Sequence, residues 1–147
     1  MRKFLIAVAL AALAAAALVP AVEGATTTTL KASMSGGEET PKGDPDGKGS
    51  ATIRLTAKRV CFTIETEKID GSAAAHIHKG ARGKAGPVLV TLFSTVSTKS
   101  VRTGCSGASK GATAKVIKAI KANPGSYYVN VHNAKYPGGA VRGQLHR

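Results

Sequence analysis

Between Ser50 and Glu65 apolar and polar side chains alternate almost without a break, and no other feature of this chain limits its folding so strongly. Ala51, Ile53 and Leu55 fall on one side of an extended segment, with Thr52, Arg54 and Thr56 on the other. After a turn at Ala57-Lys58, Val60, Phe62 and Ile64 alternate with Cys61, Thr63 and Glu65. A period of two is that of a strand with one face buried and one face wet. Residues 26–34, 73–78, 88–93, 127–132 and 140–146 read as further strands. Residues 35–49 hold Gly36, Gly37, Pro41, Gly43, Pro45 and Gly47 and read as a loop, and residues 94–111 read as a polar connector. The single helical signal covers residues 114–122, where Val116, Ile117 and Ile120 share a face before Asn123-Pro124-Gly125 stops it. The pattern predicts an all-β protein, an antiparallel Greek-key or immunoglobulin-like sandwich with one short helix.

The start of the chain is different in kind. Arg2 and Lys3 precede sixteen uninterrupted apolar residues, Phe4 to Val19, followed by Pro20 and by small residues at Val22 and Gly24. This is the layout of a cleaved secretory signal over residues 1–24, leaving a domain over residues 25–147 and no membrane span. A single membrane anchor is the competing reading, although the apolar run is shorter than the roughly 20 residues that cross a bilayer.

A chain of 147 residues has room for one domain. No Gly-x-x-x-x-Gly-Lys-Ser/Thr and no Gly-x-Gly-x-x-Gly opening a helix is present, so nucleotide-binding machinery has no basis. The formal net charge of +13 falls only to +12 once Arg2, Lys3 and Glu23 are removed. The charge is dispersed and the aromatics are few, which argues against specific nucleic-acid recognition. It leaves a solvated surface or attraction to anionic extracellular polymers.

Two side-chain chemistries stand out. In an oxidising compartment Cys61 and Cys105, the only cysteines, are most simply one disulfide, tying a Gly/Ser-rich loop at Cys105 to a strand at Cys61. They are too few for a four-thiolate zinc site. His76-Ile77-His78 places both imidazoles on one face of its strand, with Ile77 on the other. Val129-Asn130-Val131-His132 likewise turns Asn130 and His132 away from the core. If these strands are neighbours, His76, His78 and His132 converge on a site suited to copper or zinc. The plainer alternative is that the rings hydrogen-bond loop carbonyls and pin turns. His146, beside the C-terminus, reads as solvated, as do Glu38, Glu39, Asp44 and Asp46 in the loop over residues 35–49.

Three linked motifs carry a family resemblance. They are Ala75-His76-Ile77-His78-x-Gly-x-x-Gly-x-x-Gly-Pro-Val, then Asn123-Pro124-x-x-Tyr127-Tyr128-Val129-Asn130-Val131-His132, then Tyr136-Pro137-Gly138-Gly139-x-x-Arg142-Gly143-Gln144-Leu145. With the opening Leu30-x-x-x-Met34-Ser35-Gly36-x-Glu38-Glu39, they resemble the CHRD domain, a module named from chordin that also occurs alone in secreted bacterial proteins. The resemblance implies an extracellular all-β fold and a binding or structural module, without supplying a partner. Chordin's ligand-capturing cysteine-rich repeats have no counterpart here, so growth-factor antagonism is not implied. A weaker likeness is to copper/zinc superoxide dismutases. They share the His-x-His strand, the later Val-x-His strand and a Gly-rich turn before an arginine, but this chain lacks the zinc-loop ligands.

Arg142 and Gln144 alternate with Val141, Gly143 and Leu145, and together with Asn130 they read as loop clamps or anion contacts on the polar face. No nucleophile–base or acid–base pair is legible, so no catalytic residue is assigned. Three functions stay open: a secreted module binding an unidentified extracellular protein or surface, a three-His copper or zinc protein, and an electrostatic binder of anionic polymer.

Overall fold

A computed structural model describes residues 26–147, and the segment read as a secretory signal lies outside the described residues. The strands are β1 (Thr28–Ser35), β2 (Lys48–Leu55), β3 (Val60–Glu67), β4 (Ala74–Lys79), β5 (Val88–Phe93), β6 (Val101–Ser106), β7 (Tyr127–His132) and β8 (Val141–Gln144). One helix, α1 (Ala114–Ala122), falls where the sequence places it. All strand pairs are antiparallel, and they form one sheet in the order β5-β4-β7-β8-β1-β2-β3-β6. The architecture is the expected antiparallel all-β one, wrapped almost into a barrel.

The two edge strands meet through side chains. The Ser106 hydroxyl at the end of β6 donates to the Thr91 and Leu92 carbonyls of β5. Arg102 of β6 donates to the Ser72 hydroxyl and the Thr95 carbonyl, with its guanidinium 4.0 Å from the Phe93 ring centroid.

Burial follows the alternation. Leu30, Ile53, Leu55, Val60, Ile64, Ile77, Val129 and Val131 are fully enclosed, and each sits two residues from another apolar residue on its own strand. α1 adds Ile117 and Ile120 to the same core. Its start is capped by Thr113, whose hydroxyl accepts the Val116 N–H at 3.3 Å.

One strand is absent from the sequence reading. β6 lies inside the stretch read as a polar connector, and Cys105 is therefore on a strand, directly opposite Cys61 of β3. The disulfide joins two neighbouring strands, not a loop and a sheet. The physical reason is in the inward positions of β6. Opposite Ile64, Phe62 and Val60 stand Arg102, Gly104 and Ser106, none of which gives an apolar alternation. Gly104 is required there because a Cβ would sit 2.8 Å from the Phe62 ring.

Candidate metal centre

The register of β4, β7 and β8 decides which polar side chains meet. His76 stands opposite Asn130, and Asn130 opposite Arg142. One pair along, His78 faces Tyr128, and Tyr128 faces Gln144. Ala74 pairs with His132, which closes the outer row beside His76. Because directly paired residues project to the same side, these polar side chains share the outer face of the sheet.

That face is not wet. Tyr128, Asn130 and Arg142 are buried, and His78 is 8% exposed. The cover is made by the loops over residues 80–87, 133–140 and 36–47. Arg142 donates to the Ala81 carbonyl at 2.8 Å, and Gln144 donates to the Gly80 and Gly125 carbonyls. The Tyr128 hydroxyl accepts the Gly86 N–H. Tyr128 also stacks on His78, with ring centroids 4.8 Å apart and planes 8° from parallel, and carries the Arg142 guanidinium 3.3 Å from its centroid. Arg142 and Gln144 thus each donate to a carbonyl of the Gly-rich loop.

The three imidazoles converge. One ligand atom from each of His76, His78 and His132 lies within 4.8 Å of the others. The Nδ1 of His76 is 3.1 Å from the Nε2 of His132. Two metal–nitrogen bonds of about 2.0–2.1 Å at roughly 100° would produce that same spacing. The opposite nitrogens of two rings are already committed. His78 Nδ1 is 2.8 Å from the Gly86 carbonyl and His132 Nδ1 is 2.9 Å from the Pro137 carbonyl, so on each neutral ring the proton sits on Nδ1. The Nε2 lone pairs then point inward, and that of His78 is buried without a hydrogen-bond partner. Backbone carbonyls holding the far nitrogen of an imidazole are the usual outer support of a metal-ligating histidine.

Burial keeps these rings neutral. His76 is pushed down to about 4, first by loss of solvent and then by the neighbouring His132 and His78. His78 and His132 are also lowered, chiefly by burial. A ring that resists protonation remains a ligand well into mild acid.

Glu39 overturns an expectation. Read as solvated, it is 6% exposed, and burial raises its carboxyl to about 7 against the opposing pull of Arg142 and the Asn130 amide. Asp44 is buried as well, its backbone N–H donating to the Ala140 carbonyl, whereas Asp46 is exposed as expected. His146 is exposed and outside the cluster. Tyr128 packs on the sheet as its place in the strand suggests, but the sequence reasoning missed Glu39 and the stacking of Tyr128 on His78. The available signals were the Glu38-Glu39 pair in the opening motif and a glycine, Gly139, kept free of a side chain far along the chain.

These shifts oppose one another in stability. Unfolded histidine protonates near 6.5 while folded His76 waits until about 4, so its contribution is complete above 6.5 and is lost as pH falls through that window. Glu39 acts in reverse: its folded form holds a proton up to about 7, so its contribution is present in acid and lost as pH rises from 4.5 to 7. In Glu39→Gln the counterweight is gone. Between pH 6.5 and 4.5 its stability, followed by urea denaturation with chelator present, is expected to fall more steeply with acid than wild type, by up to about 1.4 kcal/mol per pH unit. Parallel profiles for the two proteins would contradict this.

A family model described as the CHRD domain matches residues 30–145, nearly the whole described chain. No curated protein and no solved structure matches.

Proposed function

This chain belongs to the CHRD domain family, and within it we propose an exported module that binds one copper or zinc ion through His76, His78 and His132. The observation that carries the reading is the convergence of three imidazole nitrogens, two of whose rings are oriented by the Gly86 and Pro137 carbonyls. Neutral nitrogen donors favour copper(II) over zinc(II) in intrinsic affinity. Three protein ligands leave a position for water or substrate, and a copper ion held there supplies Lewis acidity and one-electron exchange. The residues do the remaining work. His78 and His132 present fixed lone pairs, Tyr128 backs His78, and the clamped loop over residues 80–87 keeps the Gly86 carbonyl in place.

Export through a signal over residues 1–24 belongs to the same proposal. CHRD domains are extracellular, and the Cys61–Cys105 disulfide fits an oxidising compartment. Among the described residues no helix is long and apolar enough to cross a membrane. The test is titration of the purified protein with copper(II), read by electron paramagnetic resonance. One equivalent with nitrogen hyperfine coupling supports the site, and only weak, non-saturating binding rejects it.

A second reading has its own observation. Among the described residues the ion pair is Arg82–Glu38, so most of the Lys and Arg within residues 26–147 face solvent without a carboxylate partner. Such a surface attracts anionic extracellular polymer. Retention on an anionic resin is expected to collapse as salt shortens the screening length below about 10 Å, and to be unchanged in His132→Ala. Salt-independent retention would exclude it.

A further inference from the structure

We propose that Glu39 is the positioning residue of the metal centre, holding His132 in its ligating orientation through the turn that takes that ring's proton; the inference rests on the metal reading above. That support is the turn over residues 136–139, whose Pro137 carbonyl takes the His132 Nδ1 proton. Asn130 adds no second one, because its Oδ1, 3.1 Å from His132 Nε2, is an acceptor facing a lone pair. Gly139 closes this turn, its N–H donating to the Tyr136 carbonyl. It adopts φ 142, and a Cβ placed on it would lie 2.2 Å from Glu39 Oε1. The space a side chain would fill at Gly139 is therefore taken by the carboxyl.

The anchoring of Glu39 is equally directed. The loop that carries it is tied to the same turn region by the Asp44 N–H, which donates to the Ala140 carbonyl at 2.9 Å. The carboxyl does not ion-pair with Arg142 at bonding distance, and its Oε1 is buried without a hydrogen-bond partner. Burying an ionisable group without an ion pair is costly, so fold stability alone does not account for a glutamate here. The carboxyl packs against Gly139, and through that turn its position reaches His132.

The experiment compares copper(II) affinity by chelator competition, with electron paramagnetic resonance spectra, for wild type, Glu39→Ala, Glu39→Gln and His132→Ala. Glu39→Ala is expected to bind copper about 10–100-fold more weakly, the range for loss of an outer support, and to show an altered hyperfine pattern. Glu39→Gln keeps the length and an acceptor oxygen and is expected to restore affinity to within about threefold of wild type. If Glu39→Ala matches wild type in affinity and spectrum while His132→Ala loses the ion, the positioning role is wrong and the metal centre stands. If wild type takes up no stoichiometric copper, the metal reading fails and this inference with it. Should Glu39→Ala not fold by circular dichroism, Glu39→Asp decides: one methylene shorter with the same charge, it is expected to lose at least about fivefold, and an unchanged affinity would overturn the proposal.

Discussion

Replacing His132 with alanine is expected to weaken copper(II) binding by at least about a hundredfold, since removing an outer support alone costs 10–100-fold and this change removes a ligand. The imidazole is the third donor to a point already approached by His76 and His78, and its Nε2 lies 3.1 Å from His76 Nδ1. Without it two donors remain, no better than a chance His-x-His on any strand. The fold should tolerate the change. His132 is only partly buried, at the end of β7, and the β7–β4 and β7–β8 ladders do not use its side chain. Loss of the Pro137 contact loosens the turn over residues 136–139 without opening the core. His146→Ala is the matched control: it removes an imidazole that is exposed and outside the cluster, and it should leave affinity unchanged. Equal stoichiometric binding by His132→Ala and His146→Ala would show that copper sits elsewhere.

The double change Cys61→Ser, Cys105→Ser is expected to lower unfolding free energy by about 4 kcal/mol, the loop-entropy value for a crosslink of this span. The two cysteines are separated by 44 positions. The strand they secure has little else to hold it. β6 offers Arg102, Gly104 and Ser106 to the interior, and only Ser106 among these is buried. It pairs with β3 alone and reaches β5 through side chains. Urea denaturation measures the global loss. Hydrogen exchange should also show the β6 amides losing protection before those of β1 and β2, because the least apolar edge opens first. Stability within about 1 kcal/mol of wild type would mean that the ladder and the Ser106 bonds hold the edge without the crosslink.

Much of the arrangement is legible in the chain because a strand's side-chain period is local. That His76 and His78 share a face, with Ile77 opposite, follows from their being successive residues of an extended segment. The same argument places Asn130 with His132 and Arg142 with Gln144. α1 is legible through Val116, Ile117 and Ile120 and the Asn123-Pro124-Gly125 stop. β6 fails the same test for a physical reason. Closing a barrel against Phe62 and Phe93 needed a glycine and a cationic side chain laid on an aromatic ring, and neither gives an apolar signal.

Glu39 was hidden differently. A carboxylate in a glycine- and proline-rich loop reads as solvated, since loops are normally on the surface. Its burial depends on a second loop, roughly a hundred positions later, folding over the same sheet face with Gly139 presented to it. Nothing within a few residues of Glu39 carries that information.

The amino-acid sequence by itself settled every strand but β6, the inward and outward residues of most strands, and which histidines shared a face, because backbone geometry links neighbouring residues through a fixed repeat. Tertiary structure alone decided that β4 lies beside β7, that three loops seal the outer face above them, and that Glu39 packs against Gly139. Those contacts join segments far apart in the chain, and they exist only because the whole barrel must bury its core while every covered polar group finds a neighbour.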